Sequence, residues 1–220
     1  MDRKGKVFKD FILYAVTDLK VASGAELKKI EAAYRGGADI VQLRSRTLPD
    51  AAFLKIGQKV RKIATRYRKW FFVNDRVDLA ILLRADGVHL GQEDMPLKEA
   101  RNLARRAGVK LRFGISTHDL SQALQAEKQG ADYIGVGPVF STPTKPGRKG
   151  TGLKFVRRAA KRIKIPFVAI GGIDLKNIHH VARAGATRVA VVRAIFSAKD
   201  PAGAARNLRA NLTRARNRKK

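Results

Sequence analysis

The stretch RGGADIV, residues 35–41, joins the end of a helical pattern to the start of an apolar run. Related stretches occur twice more, as KQGADYI at 128–134 and RAGATRV at 183–189. In each of them a glycine suits the C-terminal cap of a helix, and β-branched or aromatic residues that favour a strand follow. The repetition indicates a chain of alternating helices and strands, in which successive strands run parallel.

Eight strand-helix units can be counted along the 220 residues. Most of the strands are continuous apolar runs, as expected when both faces of a parallel sheet are covered. The number of units and the chain length predict a (β/α)8 TIM barrel, and an open doubly wound sheet is the alternative. The predicted strands are residues 11–18, 39–45, 70–75, 87–91, 111–116, 133–140, 166–172 and 188–195.

The whole chain, residues 1–220, is predicted to form a single domain, because no linker or low-complexity segment interrupts the pattern. A short basic tail is expected at the C-terminus, from about residue 212 to residue 220. No apolar run approaches the roughly 20 residues that span a bilayer, and FILYAV at 11–16 is shorter than the core of a signal peptide. With no cysteine, the composition fits a cytoplasmic protein without a membrane partner.

The chain is strongly basic, with 47 Lys and Arg against 18 Asp and Glu and a formal net charge of +29. Such an excess favours anionic partners, either phosphorylated small molecules or nucleic acid. The cations are spread along the chain, which favours a generally basic surface. Aromatic residues make up only 7% of the sequence, a thin supply for base stacking. Nucleic acid is therefore expected to bind weakly and electrostatically at most, and a homo-oligomer stays open.

Polar residues at the end of strand two are candidates for anion binding, because the chemistry of such a barrel sits where strands end. Gln42, Arg44 and Arg46 are spaced two apart, so they point the same way along a strand. Two arginines on one face repel each other unless an anion or a carboxylate joins them. The spacing therefore predicts a clamp for a phosphorylated ligand.

Acidic residues follow the next two strands. Asn74 and Asp75 end strand three, and Asp94 closes the GQED stretch after strand four. Neighbouring strands of a barrel would bring the two aspartates near one hard cation, and Mg2+ prefers oxygen ligands of this kind. With no Cys and only four His, the sequence does not favour zinc. Each aspartate taken alone would equally suit a helix N-cap.

Three further features concern strand ends and histidines. Ser116 ends strand five and would either cap the next helix or donate to a phosphate. Gly172 belongs to a glycine pair after strand seven, where backbone N–H groups can approach a ligand closely. His89 is expected to be a hydrogen-bonded core histidine, whereas His179 and His180 should face solvent in part.

The loop GPVFSTPTKPGRKGTG, residues 137–152, follows strand six and is rich in glycine, threonine and cations. It is either a flexible surface loop or a lid that closes on phosphate. The glycine pair after strand seven and the end of strand eight, VVRAI, lie where barrels commonly bind phosphate.

These motifs together resemble the thiamine-phosphate synthase family. The resemblance runs from LYAVTD to VAVVRAI and includes QLR, ND, GVHLGQED, GIS, GADYIGVGPVFSTPTK and AIGGI in the family's order. It implies a (β/α)8 barrel transferase that joins hydroxymethylpyrimidine diphosphate to hydroxyethylthiazole phosphate, or to a carboxylated form of it. The implied products are thiamine monophosphate and pyrophosphate, and the implied mechanism is dissociative.

The resemblance also implies roles for individual residues. Mg2+ would be held by Asp75 and Asp94. The pyrimidine diphosphate would bind Gln42, Arg44, Asn74, Ser116 and Lys145, and the thiazole phosphate would bind Thr142, Thr144 and Gly172. Charge on the departing diphosphate would be stabilised by Mg2+, Arg44, Arg46 and Lys145, with Ser116 beside them among the catalytic residues.

Two positions depart from the family pattern. Arg46 stands where the family usually has Lys, and Arg193 stands where it commonly has Ser, so Arg193 would add a phosphate contact or turn outward. A related family of thiazole tautomerases has a functional His where this chain has Pro138, which cannot transfer a proton. A basic nucleic-acid-binding barrel is the rival from another class.

Overall fold

The computed structural model describes residues 8–142 and 150–217. Eight parallel strands close into a barrel in sequence order, because β1 pairs with β8 as well as with β2. The predicted (β/α)8 barrel is therefore confirmed, and the open sheet is excluded. The strands are β1 (Leu13–Val16), β2 (Ile40–Leu43), β3 (Trp70–Asn74), β4 (Gly87–Leu90), β5 (Arg112–Thr117), β6 (Tyr133–Val136), β7 (Phe167–Ile170) and β8 (Val189–Val191).

Helices cover the outside of the barrel and bury their apolar stripes against it. They are α1 (Gly24–Arg35), α2 (Asp50–Arg66), α3 (Val77–Leu82), α4 (Leu97–Arg106), α5 (Leu120–Lys128), α6 (Gly152–Arg162), α7 (Ile178–Arg183), α8 (Arg193–Phe196) and α9 (Pro201–Asn217). The last helix packs against α1, α7 and α8. In the part of the chain that the structure describes, none of these helices is long and apolar enough to cross a membrane.

Several elements end at other residues than the sequence predicts. The predicted strand 133–140 ends at Val136, because the N–H groups of Val139 and Phe140 turn over β7 and donate to the carbonyls of Ile170 and Gly171. At the C-terminus α9 runs to Asn217, so the first part of the predicted tail, from about residue 212, is helical. Leu212 is fully buried and anchors this end of the helix on the barrel.

Aspartates tie the N-terminal rim of the barrel together at three related positions. Asp39, Asp86 and Asp132 each follow an alanine and precede an even-numbered strand. Each carboxylate accepts a hydrogen bond from the start of the preceding odd-numbered strand, at 2.8 Å from Ile12 N, 2.7 Å from Phe71 N and 2.9 Å from Phe113 N. The repeated Ala-Asp pair therefore has a structural role at the rim opposite the predicted site.

An aromatic cluster fills the N-terminal end of the barrel interior. Phe8 stacks on Phe72 with ring centroids 6.0 Å apart, and it meets Trp70 edge-on at 5.5 Å. The Arg112 guanidinium lies over the Phe8 ring, 4.6 Å from its centroid. Because this cluster closes one end, polar side chains inside the barrel face the other end, where the strands finish.

Candidate active site

A cavity of about 680 Å³ opens at the C-terminal ends of the strands. Its volume lies within the range of small-molecule sites, about 300–1,000 Å³. The structure brings ten of the predicted site residues to its wall: Gln42, Arg44, Arg46, Asn74, Asp75, Asp94, Ser116, Thr142, Gly172 and Arg193. The other two, Thr144 and Lys145, lie outside the described residues.

Arg44 lies on the cavity wall, where an ion pair and a backbone hydrogen bond hold it in place. It is only 8% exposed, and its guanidinium pairs with the carboxylate of Asp18. The backbone holds it as well, because Arg44 N donates to Thr17 Oγ1 at 2.8 Å. Sequence reasoning required an anion or carboxylate beside the paired arginines, and Asp18 is such a carboxylate. Arg46 lies further out on the same wall and is exposed.

Asp75 is held in a conformation that few residues adopt. Its φ of 60° is in the left-handed region, which Asp tolerates better than most side chains but at some cost in free energy. The backbone N–H of Asp75 donates to the His89 carbonyl at 2.8 Å, and this bond joins the end of β3 to the end of β4. The Asn74 amide donates to the Asp75 carboxylate.

Asp94 reaches the same cavity from the turn after β4. Its Oδ2 accepts a hydrogen bond from Gly91 N at 2.6 Å. A Cβ atom on Gly91 would lie 2.8 Å from that oxygen, so only glycine lets the carboxylate fold back over the strand end. Two carboxylates from neighbouring strand ends thus face one cavity. Their oxygens are the ligands that Mg2+ prefers, which makes Asp75 and Asp94 the pair with the right chemistry to hold it.

A chain of hydrogen bonds crosses the floor of the cavity. Gln42 Nε2 donates to Tyr14 Oη at 2.7 Å, and Tyr14 Oη lies 3.0 Å from Tyr133 Oη. His89 continues the chain, with Nδ1 2.9 Å from Tyr133 Oη and Nε2 2.9 Å from Ser116 Oγ. Two predicted ligand-binding residues on opposite sides of the barrel, Gln42 and Ser116, are therefore connected.

This series of hydrogen bonds contains one more hydrogen atom than it has contacts between its members. The hydroxyls of Tyr14, Tyr133 and Ser116 and a neutral imidazole of His89 carry four hydrogens between them. Three contacts connect these four groups, so they use three of the four. One hydroxyl hydrogen is left over, and a ligand acceptor beside Ser116 would draw it to that end. Burial raises the pKa of both tyrosines above the ordinary value, so both remain neutral donors and acceptors.

The loop after β6 is hydrogen-bonded at both of its described ends, to His118 after β5 where it begins and to its own start where it returns. Where it begins, His118 Nδ1 donates to the Gly137 carbonyl at 2.5 Å. Where it returns, Thr151 N donates to the Pro138 carbonyl at 2.7 Å. The predicted alternatives of flexible loop and lid concern residues 143–149 above all, and these lie outside the described residues.

The glycine pair after β7 packs directly under this loop. Gly172 has a φ of 62°, and a Cβ there would lie 2.8 Å from the Phe140 Cβ and 2.9 Å from the Ser141 carbonyl oxygen. At Gly171 a Cβ would lie 2.5 Å from the Cα of Pro138. These positions therefore need glycine for packing alone, whatever ligand their N–H groups meet.

Arg193 begins the short helix α8 and is exposed at the cavity wall. Its carbonyl accepts a hydrogen bond from Ser197 N at 3.0 Å, which closes the single turn of this helix. His179 and His180 are exposed, as predicted. His89 is hydrogen-bonded at both ring nitrogens, as expected of a satisfied histidine, but it also lines the cavity.

Sequence reasoning missed Tyr14, Asp18, His118 and Tyr133. One signal for Tyr133 is present in neighbouring glycines. A Cβ on Gly114 would lie 2.1 Å from the Tyr133 ring, and a Cβ on Gly135 would lie 3.3 Å from His89. Glycines in the middle of buried strands thus mark the space that a larger inward-pointing side chain needs.

Cationic and carboxylate side chains surround the open end of this barrel, and neutral hydrogen-bonding groups line its floor. The fold and the site together indicate a TIM-barrel enzyme that acts on small molecules. The profile of the family described as Thiamine monophosphate synthase matches residues 13–195. The chain therefore belongs to the thiamine monophosphate synthase family.

Individual relatives agree with this result. The chain is 50% identical over 189 residues to the thiamine-phosphate synthase of Thermus thermophilus, covering 86% of this chain and 89% of the relative. It is 44% identical to the thiamine-phosphate synthase of a Synechococcus species, covering 96% of this chain but 60% of that longer protein. The structure of a thiamine phosphate pyrophosphorylase from Pyrococcus furiosus superposes with a TM-score of 0.84 at 37% identity, covering 93% of this chain and 96% of that one.

Proposed function

We propose that this protein is a thiamine-phosphate synthase, which joins hydroxymethylpyrimidine diphosphate to hydroxyethylthiazole phosphate or its carboxylated form. The products would be thiamine monophosphate and pyrophosphate. The carboxylated form would also release CO2, and a proton would take the place of the lost carboxyl group on the thiazole ring. The observation that carries the proposal is the arrangement of one cavity. Neutral donors and acceptors lie on its floor, where a pyrimidine ring would bind, and charged groups lie at its mouth, where a diphosphate would extend.

The proposed reaction is dissociative. The bond between the pyrimidine methylene carbon and the diphosphate oxygen breaks, and both electrons leave with the diphosphate. The thiazole nitrogen then donates its lone pair to the methylene carbon and forms the new C–N bond. No proton moves in these two steps, so the barrier depends on how well the site stabilises charge on the leaving group.

Cationic side chains are the means by which this chain would stabilise that charge. Arg44 is held in place by Asp18, so its guanidinium is oriented before the ligand arrives. Arg46 and Arg193 extend the positive wall outward, and Lys145 is expected to join them from the loop. Losing one such preorganised contact is expected to cost about 3 kcal/mol, or roughly a hundredfold in rate, by analogy with oxyanion donors.

Mg2+ fits the donor set at the mouth of the cavity, and Asp75 and Asp94 would hold it there. When bound, the ion would neutralise charge on the diphosphate. Elsewhere on the wall, Thr142, Thr144 and Gly172 would contact the thiazole phosphate. Gln42 and Ser116 would bind the pyrimidine, and Tyr133 and His89 would act as positioning residues, since they connect Ser116 to the hydrogen-bonded groups of the cavity floor.

The proposal is tested by mixing the purified protein with both substrates and Mg2+ and measuring thiamine monophosphate. Asp75→Asn is the better variant than Asp75→Ala, because Asn also tolerates the left-handed backbone. Asp78→Asn is the matched control, since Asp78 lies on α3 in an exposed ion pair with Arg76. We expect a loss of at least a hundredfold for Asp75→Asn and less than threefold for Asp78→Asn. No product from the folded wild type at saturating Mg2+ would reject the assignment.

A further inference from the structure

The acidic residues of this protein are distributed far less evenly than the basic ones. Residues 133–220 contain 21 Lys and Arg but only two acids, Asp174 and Asp200, which gives a net charge of +19. Residues 1–132 contain 26 Lys and Arg and 16 acids, a net charge of +10. Two fifths of the chain thus carry about two thirds of the net charge.

The fold turns this difference along the chain into a difference between two sides of the molecule. Because the strands follow one another in order around the barrel, the elements from β6 to α9 occupy one continuous sector. On the opposite side, cations such as Arg61, Arg66 and Arg101 are paired with carboxylates. Residues 133–220 contain only two carboxylate side chains that could pair with their cations.

The most closely spaced exposed cations on the basic side lie on helix α6, the first helix of this sector. Its cations are Lys154, Arg157, Arg158, Lys161 and Arg162, and all of them are exposed. The spacing of three and four residues places them on one helix face, where neighbouring like charges repel. The helix contains no acid, and none of the five forms an ion pair with a residue that the structure describes. We call these five residues the α6 face.

The basic surface continues beyond this helix. Lys164 follows α6 and is exposed, and Arg183 on α7 and Arg206 on α9 are exposed as well. Since α7 packs against both α6 and α9, these cations extend the α6 face around the barrel. None of the α6 face lines the cavity, so its charge is not explained by the proposed synthase site.

We propose that the α6 face is a docking surface for the phosphate backbone of double-stranded nucleic acid. From Lys154 to Arg162 the helix rises about 12 Å, and a duplex presents about one phosphate charge per 1.7 Å, or roughly seven over that length. The only aromatic residue of α6, Phe155, is buried, so the surface offers cations and no stacking platform. Binding is therefore electrostatic and independent of base sequence.

The test measures fluorescence anisotropy of a labelled 24-base-pair DNA duplex between 50 and 300 mM KCl. Arg157→Gln, Arg158→Gln and Lys161→Gln are combined in one variant. The matched control combines Lys55→Gln, Lys59→Gln and Lys62→Gln, which remove the same charge from exposed positions of α2. Duplex RNA of the same sequence shows which backbone is preferred, and phosphatidylserine vesicles test whether any anionic surface suffices.

The slope of log K against log[KCl] is negative, and the α6 variant is expected to make it less steep by about 2.7, that is 0.9 for each of three lost contacts. At 100 mM salt this corresponds to a loss of roughly 500-fold in affinity. The α2 variant is expected to lose less than tenfold. Equal losses in the two variants would overturn the proposal, since net charge alone would then explain binding. Absence of duplex binding by the wild type at 100 mM, or binding of vesicles without binding of duplex, would overturn it too.

Two measurements keep the result interpretable. Thermal unfolding should show the α6 variant as stable as the wild type, because it removes repulsion between like charges. If it does not fold, the double variant Lys154→Gln with Arg162→Gln tests the same face from its two ends. Formation of thiamine monophosphate should be unchanged in both charge variants, so the docking proposal and the synthase proposal fail separately.

Discussion

Removing a single oxygen from Tyr133 should weaken binding of one substrate and leave the other unaffected. Tyr133→Phe keeps the ring that packs among Phe8, Phe11 and Phe72. It deletes the hydroxyl that lies 3.0 Å from Tyr14 Oη and 2.9 Å from His89 Nδ1. The chain of hydrogen bonds is then cut in its middle, so Tyr14 and Gln42 no longer support His89 and Ser116.

The size of the effect follows from the bonds that are lost. A hydrogen bond of this kind contributes about 1 kcal/mol net, so the KM for the pyrimidine diphosphate should rise about fivefold. The KM for the thiazole phosphate should stay within twofold. Loss of the two hydrogen bonds of the Tyr133 hydroxyl should lower the free energy of unfolding by about 1–3 kcal/mol, which for a chain of this size is a fall in Tm of about 2–12 °C.

The assay is the initial rate of thiamine monophosphate formation with each substrate varied in turn. Tyr34→Phe is the control, because the Tyr34 hydroxyl donates to the Trp70 carbonyl at 2.8 Å and lies away from the cavity. It should lower stability but change neither KM. If Tyr133 acts through Ser116, Tyr133→Phe should add little further effect to Ser116→Ala. Full additivity of the two variants, or an equal rise in both KM values, would refute this reasoning.

Three other variants test the fold and the site. Asp39→Asn should lower the free energy of unfolding at pH 7 by about 3 kcal/mol, because it removes the buried partner of Lys69 and Arg209. Burial opposes ionisation of Asp39, but the two cations outweigh it and hold the pKa of this carboxyl below its ordinary value of 3.8. The stabilisation is therefore present above pH 3.8 and is lost as the pH falls further. Acid unfolding of the variant should lack this pH-dependent component. Gly172→Ala should lower both stability and kcat/KM, whereas Gly108→Ala, with a similar φ of 66° and no atom within 4 Å of a new Cβ, should cost only about 1 kcal/mol of stability and leave kcat/KM unchanged. Arg46→Lys should keep kcat/KM within about threefold of the wild type, because either side chain places a cation at the exposed end of the wall; a loss above tenfold would show that the guanidinium geometry matters.

The sequence was sufficient for the barrel because each unit repeats the same local signals. Stretches such as RGGADIV combine a helix cap with a buried strand, and both signals act within a few residues. Element ends were less predictable. Val139 is as apolar as the strand before it, but its N–H bonds to Ile170 of the next strand, and that partner is fixed by tertiary structure.

The sequence signal for the predicted site residues is a polar side chain at the end of an apolar strand, as at Arg44 and Asp75. The residues that were missed share another property, since their importance depends on what lies across the barrel. Tyr133 looks like an ordinary core aromatic until its hydroxyl is seen between Tyr14 and His89, which are 119 and 44 residues away in sequence. The role of Asp18 likewise becomes visible only from its ion pair with Arg44, which directly follows the neighbouring strand.

The most direct test of the account is the stoichiometry of the two products in one reaction mixture. Purified protein, pyrimidine diphosphate, thiazole phosphate and Mg2+ are combined, and thiamine monophosphate and pyrophosphate are quantified over time. We expect the two products to form in equal amounts and at equal rates, and we expect no product when Mg2+ is chelated. Pyrophosphate without thiamine monophosphate would show a site that releases the leaving group but does not couple the rings. Absence of both products from folded protein would contradict the proposed function.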